Sequence, residues 1–203
     1  MLSVIIATRE SERALVQTLA ALVAGATAGL VREVIVADAG SRDATAEVAD
    51  VAGCRLLVTA GPLAARLGEA VEAARSPWLL FLMPGSVPQP GWVEETSRFI
   101  EEASLAGEAE SVAAVFRAVS PSAVRTSPLR EGLVLLMQAA RLSRRASHGL
   151  LIGKELYRRM GRQDAAASDA DVIRAIVERL GRRRIVTLHC GVAATSSASG
   201  RPT

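Results

Sequence analysis

Glu33-Val34-Ile35-Val36-Ala37-Asp38-Ala39-Gly40-Ser41-Arg42-Asp43 is the stretch whose reading decides the fold. Its β-branched apolar run breaks into Asp, Gly and Ser, and then into a helix-like Ala-Thr-Ala-Glu-Val-Ala pattern at 44–49. That order predicts a strand delivering a polar loop to a helix N-terminus. Amide groups there lack intrahelical acceptors and carry the positive end of the helix dipole, so the loop is a place to hold an anion such as a phosphate. A tight β-to-α turn with Ser41 or Asp43 as an ordinary N-cap accounts for the same residues.

The same alternation recurs on both sides. Upstream, Ser3-Val4-Ile5-Ile6-Ala7 predicts a buried strand and Thr8-Arg9-Glu10-Ser11 a polar loop, after which Leu15, Leu19, Leu22 and Val23 recur at helical spacing. Downstream, a helix over 44–51 stops near Gly53, Arg55–Val58 reads as a third strand, and Pro62 opens a helix through Ala74. Trp78–Leu82 is a fourth, wholly apolar strand. Strands and helices alternating in this way mean βαβ units, hence an α/β, Rossmann-like fold with a mixed, mostly parallel central sheet flanked by helices.

Met83-Pro84-Gly85-Ser86-Val87-Pro88 predicts a rigid turn, and Pro90-Gly91-Trp92 the start of a helix through about Glu102. A loop over 104–111, a strand over Ser111–Ala118 and a long helix from Pro128 follow. In that helix Leu129, Leu133, Leu136, Met137 and Ala140 share one stripe, and Arg141, Arg144 and Arg145 crowd the last turns. A solvated, dipole-matched helix end explains these arginines. Peripheral contact of residues 128–147 with an anionic membrane surface is the other reading. Gly149–Ile152 reads as a strand, Glu155–Met160 as a helical turn or two, and Gly161–Ser168 as a loop. Asp169 then stands at the N-cap of a helix carrying Val172, Ile173, Ile176, Val177 and Leu180, and Ile185–Leu188 is the final strand. The expected organisation is one domain over 1–193, with halves 1–102 and 103–193, and a disordered tail over 194–203.

Composition narrows the function classes. The longest apolar runs fall short of a bilayer span and Met1 leads directly into a strand, so a cytoplasmic protein is expected. Cys54 and Cys190, without a CxxC pair and with only two histidines, argue against a zinc site or a disulfide scaffold, and His148, His189 and Cys190 read as structural. Residues 1–100 carry 8 basic and 11 acidic side chains and residues 101–203 carry 16 and 10, so the second half favours an anionic partner. Aromatics at 3% are too few for the stacking platforms of single-strand binders, and no nucleic-acid partner is expected.

Ser3–Glu10 followed by Glu33–Thr45 resembles family-2 glycosyltransferases of the GT-A fold, which typically read Pro-Thr-x-Asn-Glu and Asp-Asp/Gly-Gly-Ser-x-Asp-Gly-Thr at these places. Trp78–Leu82 is similar to the strand before the family's metal motif. Gly149-Leu-Leu-Ile-Gly-Lys-Glu-Leu-Tyr-Arg-Arg-Met-Gly161 is similar to its Gly-Leu-Phe-x-x-Arg-x-x-Phe-x-x-x-Gly-Gly segment, and Ser168–Asp171 falls where it places Glu-Asp. The resemblance implies a nucleotide-sugar donor, UDP- or GDP-linked, and a sugar acceptor left open, lipid-linked and cell-envelope glycans included. It implies Asp169 as general base and Thr8, Glu10, Asp38, Gly40, Ser41 and Asp43 around the donor. Local hydrogen bonding that merely fixes the loop accounts equally for Asp38.

The departures from the family pattern matter as much. Where Asp-x-Asp would hold a divalent metal, the chain has Met83-Pro84-Gly85, which offers no hard oxygen side chain. Ala7 replaces a proline, Arg9 an asparagine, and Ala39 an acidic residue. Arg9, Arg66 and Arg162 are the candidates to neutralise a diphosphate instead, because guanidinium forks bind phosphate oxygens in pairs. The alternative is a catalytically inactive glycosyltransferase-like protein that binds a nucleotide, a glycan or a partner.

Overall fold

Alternation within the strands sorts side chains into two cores, one on each face of the sheet. Leu2, Val4 and Ile6 of β1 (Leu2–Thr8) and Trp78, Leu80 and Leu82 of β4 (Trp78–Leu82) enter one core, while Ile5, Ala7, Leu79 and Phe81 enter the other. The structure is a computed structural model and describes residues 1–119, 149–160, 172–181 and 184–194. The remaining elements are α1 (Glu12–Thr27), β2 (Val31–Asp38), α2 (Thr45–Val51), β3 (Arg55–Val58), α3 (Leu63–Ala73), β5 (Ser86–Pro88), α4 (Trp92–Leu105), β6 (Ala113–Val119), β7 (Gly149–Gly153), α5 (Lys154–Arg159), α6 (Val172–Leu180) and β8 (Ile185–Ala194).

Among the described residues eight strands form one sheet in the order β3-β2-β1-β4-β7-β6-β8-β5. Pairs β1/β2, β1/β4, β2/β3 and β6/β8 are parallel, and β4/β7, β6/β7 and β5/β8 antiparallel, so the sheet is mixed and mostly parallel. Helices α1, α2 and α4 cover one face through Leu15, Leu22, Ala49, Phe99 and Ile100. Helices α3, α5 and α6 cover the other through Leu67, Val71, Tyr157 and Ile176. A three-layer α/β domain results, and the parallel strands β1 and β2 end together at one edge.

Two contacts fix the helices on the sheet. Gly25 of α1 packs where a Cβ would stand 2.5 Å from the Trp92 ring, so only a residue without a side chain lets α1 lie this close to α4. Trp78 meets Phe99 edge to face at a centroid distance of 5.7 Å.

The second half departs from the sequence reading in two places. Ser86–Pro88, expected as part of a rigid turn, is β5 and pairs with the last residues of β8. β8 itself runs to Ala194 instead of Leu188, because its small residues Gly191–Ala194 have β5 and β6 to pair with. Its register on β6 jumps from Phe116↔Leu188 to Arg117↔Gly191, which leaves His189 and Cys190 as a bulge. Glu95 of α4 stabilises that bulge, accepting the backbone N–H groups of His189 and Cys190 at 2.6 Å each. Burial works to raise this carboxyl, and the hydrogen bonds from His189 and Cys190 outweigh it, holding it below the usual glutamate value.

Candidate functional site

The site grows from the β1/β2 register, which sets Thr8 beside Asp38 at the ends of the two strands. Asp38 is 1% exposed and its carboxylate is turned into the loop that follows it. Oδ1 accepts the Thr8 hydroxyl at 2.7 Å and the Ser41 hydroxyl at 2.6 Å, while Oδ2 accepts the backbone N–H of Gly40 at 2.9 Å and of Ser41 at 2.7 Å. Gly40 makes the tight turn possible with φ +84°. Burial works to raise the Asp38 carboxyl, but the bonds from Ser41, Thr8 and Gly40 prevail and lower it.

A second set of bonds laces this loop to the one after β1. Glu10 donates its backbone N–H to the Ser41 hydroxyl at 2.8 Å and accepts the Arg42 N–H on Oε1 at 2.9 Å. Ser11 N–H donates to the Thr45 hydroxyl at 2.9 Å, and Glu12 N–H to Asp43 Oδ2 at 3.1 Å. The other Asp43 oxygen accepts the Thr45 N–H at 3.0 Å. For Asp43, too, burial pushes upward and the bonds from Thr45 and Glu12 win, leaving its carboxyl below the usual range. Glu10 is the one non-glycine residue among those described with a left-handed backbone, at φ +47°. Such a conformation costs on the order of 1 kcal/mol or more and persists where surrounding bonds over-determine it.

Arg66 of α3 closes the floor. Although charged, it is 2% exposed, and its Nη1 donates to the carbonyls of Thr8 at 3.1 Å and Ala37 at 2.9 Å, tying together the ends of β1 and β2. Above it lies a cleft of about 460 Å³, whose lining includes Arg9, Glu10, Arg13, Asp43, Met83 and Pro84. Of the residues singled out in the sequence, Thr8, Arg9, Glu10, Asp43 and Arg66 line this cleft, whereas Asp38, Gly40 and Ser41 lie behind it and shape the loop. Asp169, Arg162, His148, the helix expected over 128–147 and the tail beyond Ala194 lie outside the described residues.

The far wall is the turn after β4. Ser86 N–H donates to the Met83 carbonyl at 3.0 Å, and Gly85 N–H reaches the Ala14 carbonyl at 3.0 Å and the Thr18 hydroxyl at 2.9 Å. A thioether, an imide ring and a glycine make a poor donor set for Mg²⁺ or Mn²⁺. Among the described residues no cluster of three or more His, Cys, Asp or Glu suits a metal ion, so these residues do not fit an Asp-x-Asp-type centre. No described helix is long and apolar enough to cross a membrane.

The family model for glycosyl transferase family 2 matches residues 3–159. The chain belongs to that family. Solved structures share the fold of this family-2 chain. The S. aureus TarS fragment 1–349 superposes with a TM-score of 0.69 at 17% identity over 96% of this chain and 60% of TarS. The chain therefore spans about three fifths of that fragment. Glucosyl-3-phosphoglycerate synthase from Mycobacterium tuberculosis, in complex with Mn²⁺, UDP and glucosyl-3-phosphoglycerate, gives 0.62 at 18% over 100% of this chain and 73% of the synthase. A mycobacterial protein gives 0.67 at 20% over 100% and 68%. Comparison with curated protein sequences returns no match.

Sequence reasoning missed the lacing residues Ser11 and Thr45 and the cleft residue Arg13. Ser11 read only as part of a polar loop and Thr45 as part of a helix-like run, since their joint bond spans two loops 34 residues apart. Arg13 carried a usable signal, because the first turn of a helix that follows a sheet-edge loop faces the same edge as the loop.

Proposed function

We propose that this chain transfers a sugar from a UDP- or GDP-sugar to an acceptor hydroxyl, with the donor seated in the cleft between the loops after β1 and β2. The observation that carries this reading is Glu10, held at positive φ between Ser41 and Arg42. A strained, multiply bonded residue at the mouth of a cleft, at the ends of parallel strands, marks a preorganised binding edge. Family membership and the fold shared with TarS, also solved in complex with UDP-GlcNAc, support the donor class. In this reading Asp38 and Arg66 act from beneath, keeping the loops in register, while Thr8, Glu10 and Asp43 face the nucleoside side.

Transfer needs a base that removes the acceptor proton while the acceptor oxygen attacks the anomeric carbon in line and the bond to the diphosphate breaks. Asp169 is the proposed base, giving inversion at that carbon. Incubation with a panel of nucleotide sugars, acceptor glycans and lipid-linked acceptors tests this. Transfer or slow donor hydrolysis is expected, and Asp169→Ala should abolish it; full activity in that variant overturns the assignment.

A catalytically silent nucleotide- or glycan-binding protein is the second reading, favoured by the Met83-Pro84-Gly85 turn. Nucleotide binding without turnover across the whole panel would select it. Peripheral attachment through residues 128–147 is a further part of the proposal. Failure to co-sediment with anionic liposomes at low salt would remove it.

A further inference from the structure

The charged groups of the cleft are used unequally. Glu10 and Asp43 accept the amides of Arg42, Glu12 and Thr45, so their carboxylates are held in place by the loops while keeping their charge. Arg9 and Arg13 line the same cleft, are exposed, and their side chains make no hydrogen bond or ion pair among the described residues. With Glu12 the lining holds three carboxylates and three guanidinium groups, and of the cations Arg66 is buried at the floor while Arg9 and Arg13 are the exposed ones able to turn to an anion. Facing them, Met83 and Pro84 supply no metal donor. The first turn of α1, a helix of 16 residues, opens at the same place and adds its positive end.

We propose that Arg9 and Arg13 neutralise the diphosphate of the donor in place of a divalent metal, so that this chain binds nucleoside diphosphates metal-free. The inference rests on the nucleotide-sugar reading of the cleft and deepens it. Guanidinium groups suit the role because their paired N–H donors match phosphate oxygens and remain charged at every working pH. Two solvent-exposed cations replace one hard dication less strongly, so the binding is salt-sensitive.

Calorimetry on the full chain with UDP, GDP and inorganic pyrophosphate, each in EDTA and in MnCl₂, tests it. Binding is expected in EDTA, with a Kd that Mn²⁺ changes by less than about twofold and that weakens as salt rises. Arg13→Glu and Arg9→Glu should each weaken binding by about tenfold, and Arg13→Lys by less, because the charge survives and the fork does not. Arg32→Glu, exposed at the opposite edge of the sheet, is the control and should bind like the parent. Circular dichroism melts of all four variants exclude misfolding as the cause. Binding that appears only with Mn²⁺, or that is unchanged in both glutamate variants, overturns the proposal. Metal-free, arginine-dependent binding of pyrophosphate but of neither nucleotide keeps the arginine site and overturns the nucleoside reading. No binding of any probe overturns both.

Discussion

Two turns at the same edge of the sheet are built on opposite principles. The turn after β2 is organised by one buried carboxylate, Asp38, which collects four donors from Thr8, Gly40 and Ser41. The turn after β4 has no carboxylate and hangs on α1 through Ala14 and Thr18. The first turn keeps its shape by its own polar groups, the second by a borrowed support. Under the proposed function, the first turn is the scaffold of the donor side and the second, which carries no metal ligand, is a backbone-held wall.

Asp38→Ala should have the largest effect. Removing the acceptor strands up to four donors, and a loss of about 3 kcal/mol in urea unfolding is expected. A loss under about 1 kcal/mol would mean that the loop closes without its carboxylate. The same group predicts an acid limb. Its folded pKa lies below the ordinary aspartate value, so its contribution is fully present above that ordinary value and is lost as pH falls through the depressed folded pKa. Asp38→Asn removes this part of the acid dependence, measured as urea midpoints from about pH 6 down to about pH 3.

Gly25→Ala addresses α1, the support on which the second turn hangs. Its Cβ would stand 2.5 Å from Trp92, so α1 must shift or the ring must give, at a cost of about 2 kcal/mol by thermal unfolding. Thr18→Val touches the second turn alone. It removes an acceptor of Gly85 N–H and should cost about 1 kcal/mol, with the first turn unaffected in amide exchange. The smallest effect at neutral pH belongs to Tyr157, the single tyrosine, which packs on Phe81 behind the second turn at 5.3 Å. Burial pushes its phenol up from 10.0 to about 12, so the folded form resists ionisation. Stability is intact below 10.0 and falls as pH rises towards about 12. An ultraviolet titration midpoint near 10 with the protein still folded would contradict this burial.

The legibility of the sequence follows the same divide. β1, β2, β3 and β4 and the helices between them were readable because each element carries its own period, two for strands and 3.6 for helices. β5 was not, since Pro84 and Pro88 speak for a turn and only β8, a hundred residues later, makes Ser86–Pro88 a strand. The end of β8 was hidden likewise, because Gly191-Val192-Ala193-Ala194 has no periodic signal of its own. In the cleft, residue types were legible and their allegiance was not. Asp38 and Asp43 looked alike in sequence, yet one faces the loop interior and the other the cleft. Arg66 read as a candidate to neutralise a diphosphate, and its burial against carbonyls of two strands has no local pattern to announce it.

β5 has one more consequence, for how the molecule behaves among its own copies. Among the described residues it is the outermost strand at that end of the sheet, three residues long, and Pro88 has no N–H to offer. A strand so short, with one donor deleted, is a poor template for an incoming chain. That end of the sheet is in effect sealed against edge-to-edge growth, which protects a domain half made of hydrophobic residues from aggregating through it.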